Sequence, residues 1–156
     1  MSKLIQAPVH RHEIFAWALF DFANSGYTTV VLTAIFNAYF VGVIAQAYSS
    51  GTATLWWTIA MALANGVVLL TAPIIGAIAD DRAWKKRFLM ISASGCVGFT
   101  TLLATAGPGD VSYAMALVIL ASICFFTGEN LIAAFLPEIA TPDKMGRISA
   151  FGWTIG

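Results

Sequence analysis

The chain has 156 residues, 59% of them hydrophobic and only 10% charged, with eight basic side chains balanced by eight acidic ones. Soluble domains carry roughly 25% charged residues, so this composition excludes one and points to an integral membrane protein. No nucleic-acid partner is expected, and Cys96 and Cys124, both inside apolar runs, read as small apolar side chains, not as a redox or metal pair.

Residues 1–13 form a polar tail with Lys3, His10, Arg11, His12 and Glu13, expected on the cytoplasmic side. The two histidines lack a nearby third ligand, so no metal site is expected there. Ile14–Ala45 is the first expected span. At 1.5 Å per residue it reaches about 48 Å against a hydrocarbon core of roughly 30 Å, so it must tilt or project. The uncharged run Tyr48–Thr54 reads as an outside turn. A second span, Leu55–Ala79, carries Asn65-Gly66 at its middle and Pro73 near its end.

The charged stretch Gly76–Arg87, GAIADDRAWKKR, then separates two runs that carry no charge. It holds Asp80 and Asp81 beside Arg82, Lys85, Lys86 and Arg87, and a short basic loop between apolar spans belongs in the cytoplasm. Phe88–Ala106 is the third expected span, in which Ser92, Gly95 and Gly98 would let a neighbouring helix approach closely. Gly107-Pro108-Gly109-Asp110 is a turn. The fourth span, Val111–Leu136, is expected to stop at Pro137, with a loop over Glu138–Lys144. Residues 147–156 begin an incomplete fifth span, which suggests a fragment of a larger protein.

The fold class expected is therefore an all-α polytopic transmembrane bundle of four complete spans plus the start of a fifth. With a cytoplasmic N-terminus, all eight Lys and Arg fall inside: Lys3, Arg11, the four of the hairpin, Lys144 and Arg147. Trp17, Trp84 and Trp153 then lie near the inner interface, and Tyr48, Trp56, Trp57 and Tyr113 near the outer one.

Asp21 is the first residue that the bilayer does not explain, because a carboxylate near a helix centre costs about 2.5–3.5 kcal/mol on the insertion scale. Polar residues follow it at steps of four, through Ser25, Thr29, Thr33 and Asn37, with Asn24 and Thr28 widening the stripe. In an α-helix each such step advances about 400°, so the stripe forms one slowly drifting track. It would face a cavity or the bundle interior; the threonines would serve equally well by bonding back to their own backbone. Glu129, followed by Asn130, sits at similar depth in the fourth span, and Asn65 marks the middle of the second. Two carboxylates at one level could carry protons, bind a cation or hold a substrate ammonium group. They could also be neutral and hydrogen-bonded to neighbours.

Gly76 followed four residues later by Asp80 and a basic cluster resembles the signature between the second and third helices of the major facilitator superfamily. This chain departs from that pattern at Asp81, where a basic residue is commoner, and at Ala83, where a turn glycine is expected; Arg82 comes one position late. The run Ala16–Tyr27 (AWALFDFANSGY) is similar to the opening of the vacuolar amino-acid effluxer, autophagy-related branch of that superfamily and its bacterial relatives. Ala134–Ala140 and Gly146–Trp153 are similar to its entry into the fifth helix.

The resemblance implies about twelve helices in two halves, each half an inverted pair of three-helix repeats. This chain would then be the first repeat, the fourth helix and the start of the fifth. Asp21 and Glu129 would line one cavity between the first and fourth helices, and the hairpin would lock one conformation of the bundle. The function implied is alternating-access transport of a small polar solute, with amino acids as the suggested class; carrying protons as a coupling ion is one of the roles open to the two carboxylates. The membrane would be the bacterial inner membrane or a eukaryotic vacuolar or other endomembrane.

A different reading makes the chain a short, non-transporting membrane protein that assembles through Gly95, Gly98, Gly152 and Gly156. No metal-ligand pair, activated nucleophile or phosphate-cradling loop is evident, so neither an enzyme nor a cofactor is expected.

Overall fold

The computed structural model describes residues 11–139, together with 146 and 150. The tail through His10 and nearly all of the expected fifth segment lie outside the described residues. Every described element is helical: α1 (Arg11–Tyr27), a π-helical stretch (Thr28–Ala34), α2 (Phe36–Tyr39), a second π-helical stretch (Phe40–Ile44), α3 (Ser50–Asp81), α4 (Lys85–Leu103) and α5 (Val111–Ile139). That is the economy a bilayer imposes, since an α-helix satisfies its backbone polar groups within one segment.

Among the described residues, three segments are long and apolar enough to cross a membrane: Ile14–Ile44, Ser50–Asp81 and Val111–Phe135. α4 occupies the third expected span, but its first turn is Lys85-Lys86-Arg87 and it does not reach that standard of apolarity.

The first segment changes its winding after Tyr27. Thr28, Thr29, Val30, Val31 and Thr33 are β-branched, and such side chains crowd the preceding turn of an α-helix. The backbone here bonds five residues back instead of four, as from the Ile35 N–H to the Val30 carbonyl at 3.1 Å and from the Ala45 N–H to the Phe40 carbonyl at 2.8 Å. A track extrapolated at steps of four therefore cannot stay in line beyond this point. Thr28, Thr29 and Thr33 are exposed, and the Thr33 hydroxyl donates to the Thr28 carbonyl.

Several expected boundaries move, the third span, Phe88–Ala106, becoming a helix over Lys85–Leu103. α3 begins at Ser50, not Leu55, because Ser49 caps it, its hydroxyl accepting from the Thr52 N–H at 3.3 Å; the small polar residues read as a turn are its cap and first turn. The expected Gly76–Arg87 hairpin is nearly all helix, with only Arg82, Ala83 and Trp84 as the turn between α3 and α4. α5 passes Pro137 and ends at Ile139; so near a helix end, a proline removes one backbone bond without stopping the helix.

α5 is the hub, packing against α1, α3 and α4. α3 presents to the bundle a stripe of Ala53, Trp57, Ala60, Ala64 and Val68, at helical spacing and mostly small, so that the backbones come close. Tyr27 stacks on Phe125 with ring centroids 4.7 Å apart, and Phe40 packs on Trp57 at 5.6 Å. At the far end the Gly107–Asp110 turn is tied down twice. The Gly109 N–H donates to the Ile44 carbonyl at 2.9 Å, and Asp110 Oδ2 accepts from the Gly107 N–H at 3.0 Å. Gly109 has φ +93°, which a glycine adopts without steric cost.

Candidate functional site

Without water, helices in a bilayer associate through close packing and interhelical hydrogen bonds, and among the described residues the seam between α1 and α5 has three such bonds. The Trp17 indole Nε1–H donates to the Ile132 carbonyl at 2.9 Å. Asn24 Nδ2 donates to Glu129 Oε1. The Tyr27 and Ser122 hydroxyls bond each other at 3.0 Å. On α1 these side chains lie at i, i+7 and i+10, two and then three turns along, while their partners descend α5 in reverse order. The two helices therefore run antiparallel, with one polar tie at each of three levels.

Glu129 has two neighbourhoods. One carboxylate oxygen takes the Asn24 bond, and the residue also lines a hollow of about 410 Å³ between α3 and α5, with Asn65, Val68, Pro73, Phe126 and Asn130. Pro73 has no N–H to give, so the Leu69 carbonyl, four residues back in the same wall, loses its usual helical donor. Asn65 spends an N–H on the Met61 carbonyl at 2.8 Å, which leaves its own carbonyl as an acceptor. The hollow is thus lined by a carboxylate, acceptor oxygens and apolar side chains, with no Lys or Arg in its wall. Its chemistry suits a hydrogen-bond donor or a cation.

The expected cavity residues are brought together only in part. Asn24, Glu129, Asn65 and Asn130 converge on the two sides of α5. Asp21 is half-buried, and its carboxylate has no hydrogen-bond or ion-pair partner among the described residues; the Ser25 hydroxyl donates to the Asp21 backbone carbonyl at 3.2 Å. Thr28 is exposed at the start of the π-helical stretch. Among the described residues, no three His, Cys, Asp or Glu side chains gather where a metal ion could be held, and both cysteines are free thiols.

Trp17, Tyr27, Ser122 and Pro73 were not singled out as site residues by the sequence. The one available signal was Tyr27 and Ser122 as polar tips inside apolar runs, since a buried hydroxyl in lipid must find a partner.

Asn130 also lines a smaller hollow, about 70 Å³, with Ala72, Gly76, Asp80 and Lys85, so the polar wall continues from Glu129 towards the α3–α4 turn. There Lys85 Nζ meets Asp80 Oδ1 at 2.5 Å, although Asp80 is 65% exposed and such a pair contributes little to stability. The Arg82 and Arg87 guanidinium groups lie over the Trp84 ring, 5.0 and 5.4 Å from its centroid. Asp81 is exposed at the end of α3.

Ala83 has φ +53°, the left-handed region, which costs a residue with a Cβ about 1–2 kcal/mol. This is the position at which the resembled loop pattern carries glycine, and the geometry supplies the reason. Ala83→Gly should raise thermal stability by up to about 1 kcal/mol, part of the relief being offset by the extra freedom of glycine in the unfolded chain. Thermal unfolding in detergent checks it, and an unchanged or lower midpoint would contradict a strained turn.

The vacuole effluxer Atg22-like family model matches residues 51–150. An uncharacterized MFS-type transporter of Bacillus subtilis (strain 168), YxiO, is 31% identical over 143 residues, 90% of this chain and 33% of that protein. The chain thus spans about a third of the length of the curated relative it matches. No solved structure matches it significantly.

Proposed function

Since the chain belongs to the vacuole effluxer Atg22-like family of MFS-type transporters, we propose that it forms part of the N-terminal half of a secondary transporter that moves a small polar solute by alternating access. In this reading α4 completes a set of four spans, the N-terminus is cytoplasmic, and the basic α3–α4 turn lies on the cytoplasmic side. The solute is an amino acid, and protons are the coupling ion. Glu129, Asn24, Asn65 and Asn130 belong to the solute pathway. Asp21, with Ser25 further along α1 and Thr28 at the start of the π-helical stretch, faces the remainder of that pathway. The loop from Gly76 to Arg87, with Asp80, Asp81, Arg82, Lys85 and Lys86, holds one conformation of the bundle.

The observation that carries the reading is Glu129: an ionisable residue well inside an apolar helix, tied to α1 on one side and lining a hollow with α3 on the other. Ionisable residues at such depth mark solute and ion pathways. The hollow has no cation in its wall, so it suits the ammonium end of an amino acid; the carboxylate end requires a partner from another part of the pathway. The family favours this reading over assembly without transport.

Proteoliposomes containing the whole natural polypeptide test it by counterflow of labelled amino acids. Saturable exchange is expected, together with loss of its dependence on a proton gradient in Asp21→Asn. Absence of saturable movement for every amino acid would remove that solute class, and unaltered proton dependence in Asp21→Asn would remove Asp21 from coupling.

A further inference from the structure

Where α1, α4 and α5 meet, a second hollow of about 250 Å³ is walled by Trp17, Phe20, Leu89, Ile132 and Phe135, with Lys86 its one cation. The Trp17 indole N–H is already committed to the Ile132 carbonyl at 2.9 Å. The walls therefore present apolar surface, with an ammonium group among them. Lys86 is exposed, and no acidic side chain pairs with it among the described residues; Asp80 pairs with Lys85 instead.

Charge makes the place more specific. Lys85, Lys86 and Arg87 open α4, no acidic residue lies in its first turn, and Trp84 supplies no side-chain cap. Positive side chains at the positive end of a helix dipole are unfavourable unless an anion lies near; Asp80 answers Lys85, but no described carboxylate answers Lys86. A small hydrophilic anion could answer the charge but would gain nothing from the aromatic and aliphatic walls. A zwitterionic lipid could fill the walls but would add no net charge. The occupant that satisfies both is an anionic phospholipid, in keeping with the general behaviour of basic pockets between membrane helices.

We propose that this hollow binds an anionic phospholipid, with its phosphate on the Lys86 ammonium and part of one acyl chain between α1 and α4. The site requires only that the chain is a multi-pass membrane protein; it does not depend on what is transported. Its occupant would brace α4 against α1, two helices that the structure otherwise joins mainly through α5.

The test uses the whole natural polypeptide in an uncharged detergent, with lipid retention read by native mass spectrometry and thermal unfolding followed in parallel. The probes are phosphatidylglycerol, phosphatidylcholine and inorganic phosphate. Phosphatidylglycerol should be retained in preference to phosphatidylcholine and should raise the unfolding midpoint, whereas inorganic phosphate should not. Lys86→Gln should weaken phosphatidylglycerol retention about fivefold, the effect of one basic side chain near an anionic surface, and Lys86→Arg should preserve it. Ala16→Trp, which places an indole at the wall, should weaken retention while Lys86 stays intact. Equal retention of the two lipids, as when another segment of the polypeptide fills the hollow, would overturn the proposal. So would wild-type retention in Lys86→Gln, or a full stabilising effect from phosphate alone.

Discussion

Replacing Glu129 with glutamine should lower counterflow roughly two- to thirtyfold while leaving the protein folded. Glutamine keeps the length of the side chain and an oxygen that accepts from Asn24, so the α1–α5 tie survives. What disappears is the ionisable carboxyl group that lines the α3–α5 hollow. A hydrogen bond to a charged group contributes about 1.5–3 kcal/mol, compared with about 1 for a neutral one, and each 1.4 kcal/mol is tenfold in binding. Glu129→Leu should do more, because it also strands the Asn24 amide against an apolar partner. The assay is counterflow in proteoliposomes, paired with thermal unfolding of the same preparations. Full transport by Glu129→Gln would reduce Glu129 to a link between helices, and a folding defect in that variant would show that the charge itself is structural.

Gly95→Val should be the most damaging single change in the α4–α5 seam. A Cβ built on Gly95 lies 2.8 Å from Cys124 Sγ and 3.7 Å from Cys124 Cβ, closer to the sulfur than real side chains come. Valine adds two further methyl groups at that point, so the helices must separate or Cys124 must leave its rotamer. Overpacking of this kind costs about 1–3 kcal/mol. Gly98 has nothing within 4 Å of the corresponding position, and Gly98→Ala should be neutral or slightly stabilising, since alanine is the better helix former. The decisive comparison is a cycle of Gly95→Ala, Cys124→Ala and the pair, followed by thermal unfolding. If the two are in conflict, the double variant should recover much of what Gly95→Ala loses; simple additivity would mean that the approach is not limiting.

Those two glycines mark a boundary of what can be read from a chain. Both stand in the same small-residue pattern on α4, and sequence treats them alike. Only the rotation of α4 against α5 makes one a contact and leaves the other open. The carboxylates show the same limit. Asp21 stood out as the first charge inside an apolar run, yet the residue that reaches Glu129 is Asn24, almost one turn further along α1 and 105 positions away from its partner. Aromatic residues were read as marks of the membrane interface, whereas Trp17 also fastens α1 to α5 through its ring N–H.

What the amino-acid sequence determined by itself was the kind of protein and the course of its chain: apolar runs long enough to cross a membrane, joined by a basic turn and a glycine-proline turn. That information is local. In lipid each segment must satisfy its backbone internally, so helical structure follows from composition and length. Tertiary structure decided which side chains meet: the pairing of Asn24 with Glu129, the hollow that Glu129 shares with Asn65, and the close approach at Gly95. It also revealed the π-helical winding after Tyr27, which takes the threonines out of the α-helical register that their spacing implies. Such contacts depend on how each helix is rotated about its own axis. That rotation is set by the summed packing of several helices, with small residues and buried hydrogen bonds settling it together, and no local window of sequence contains it.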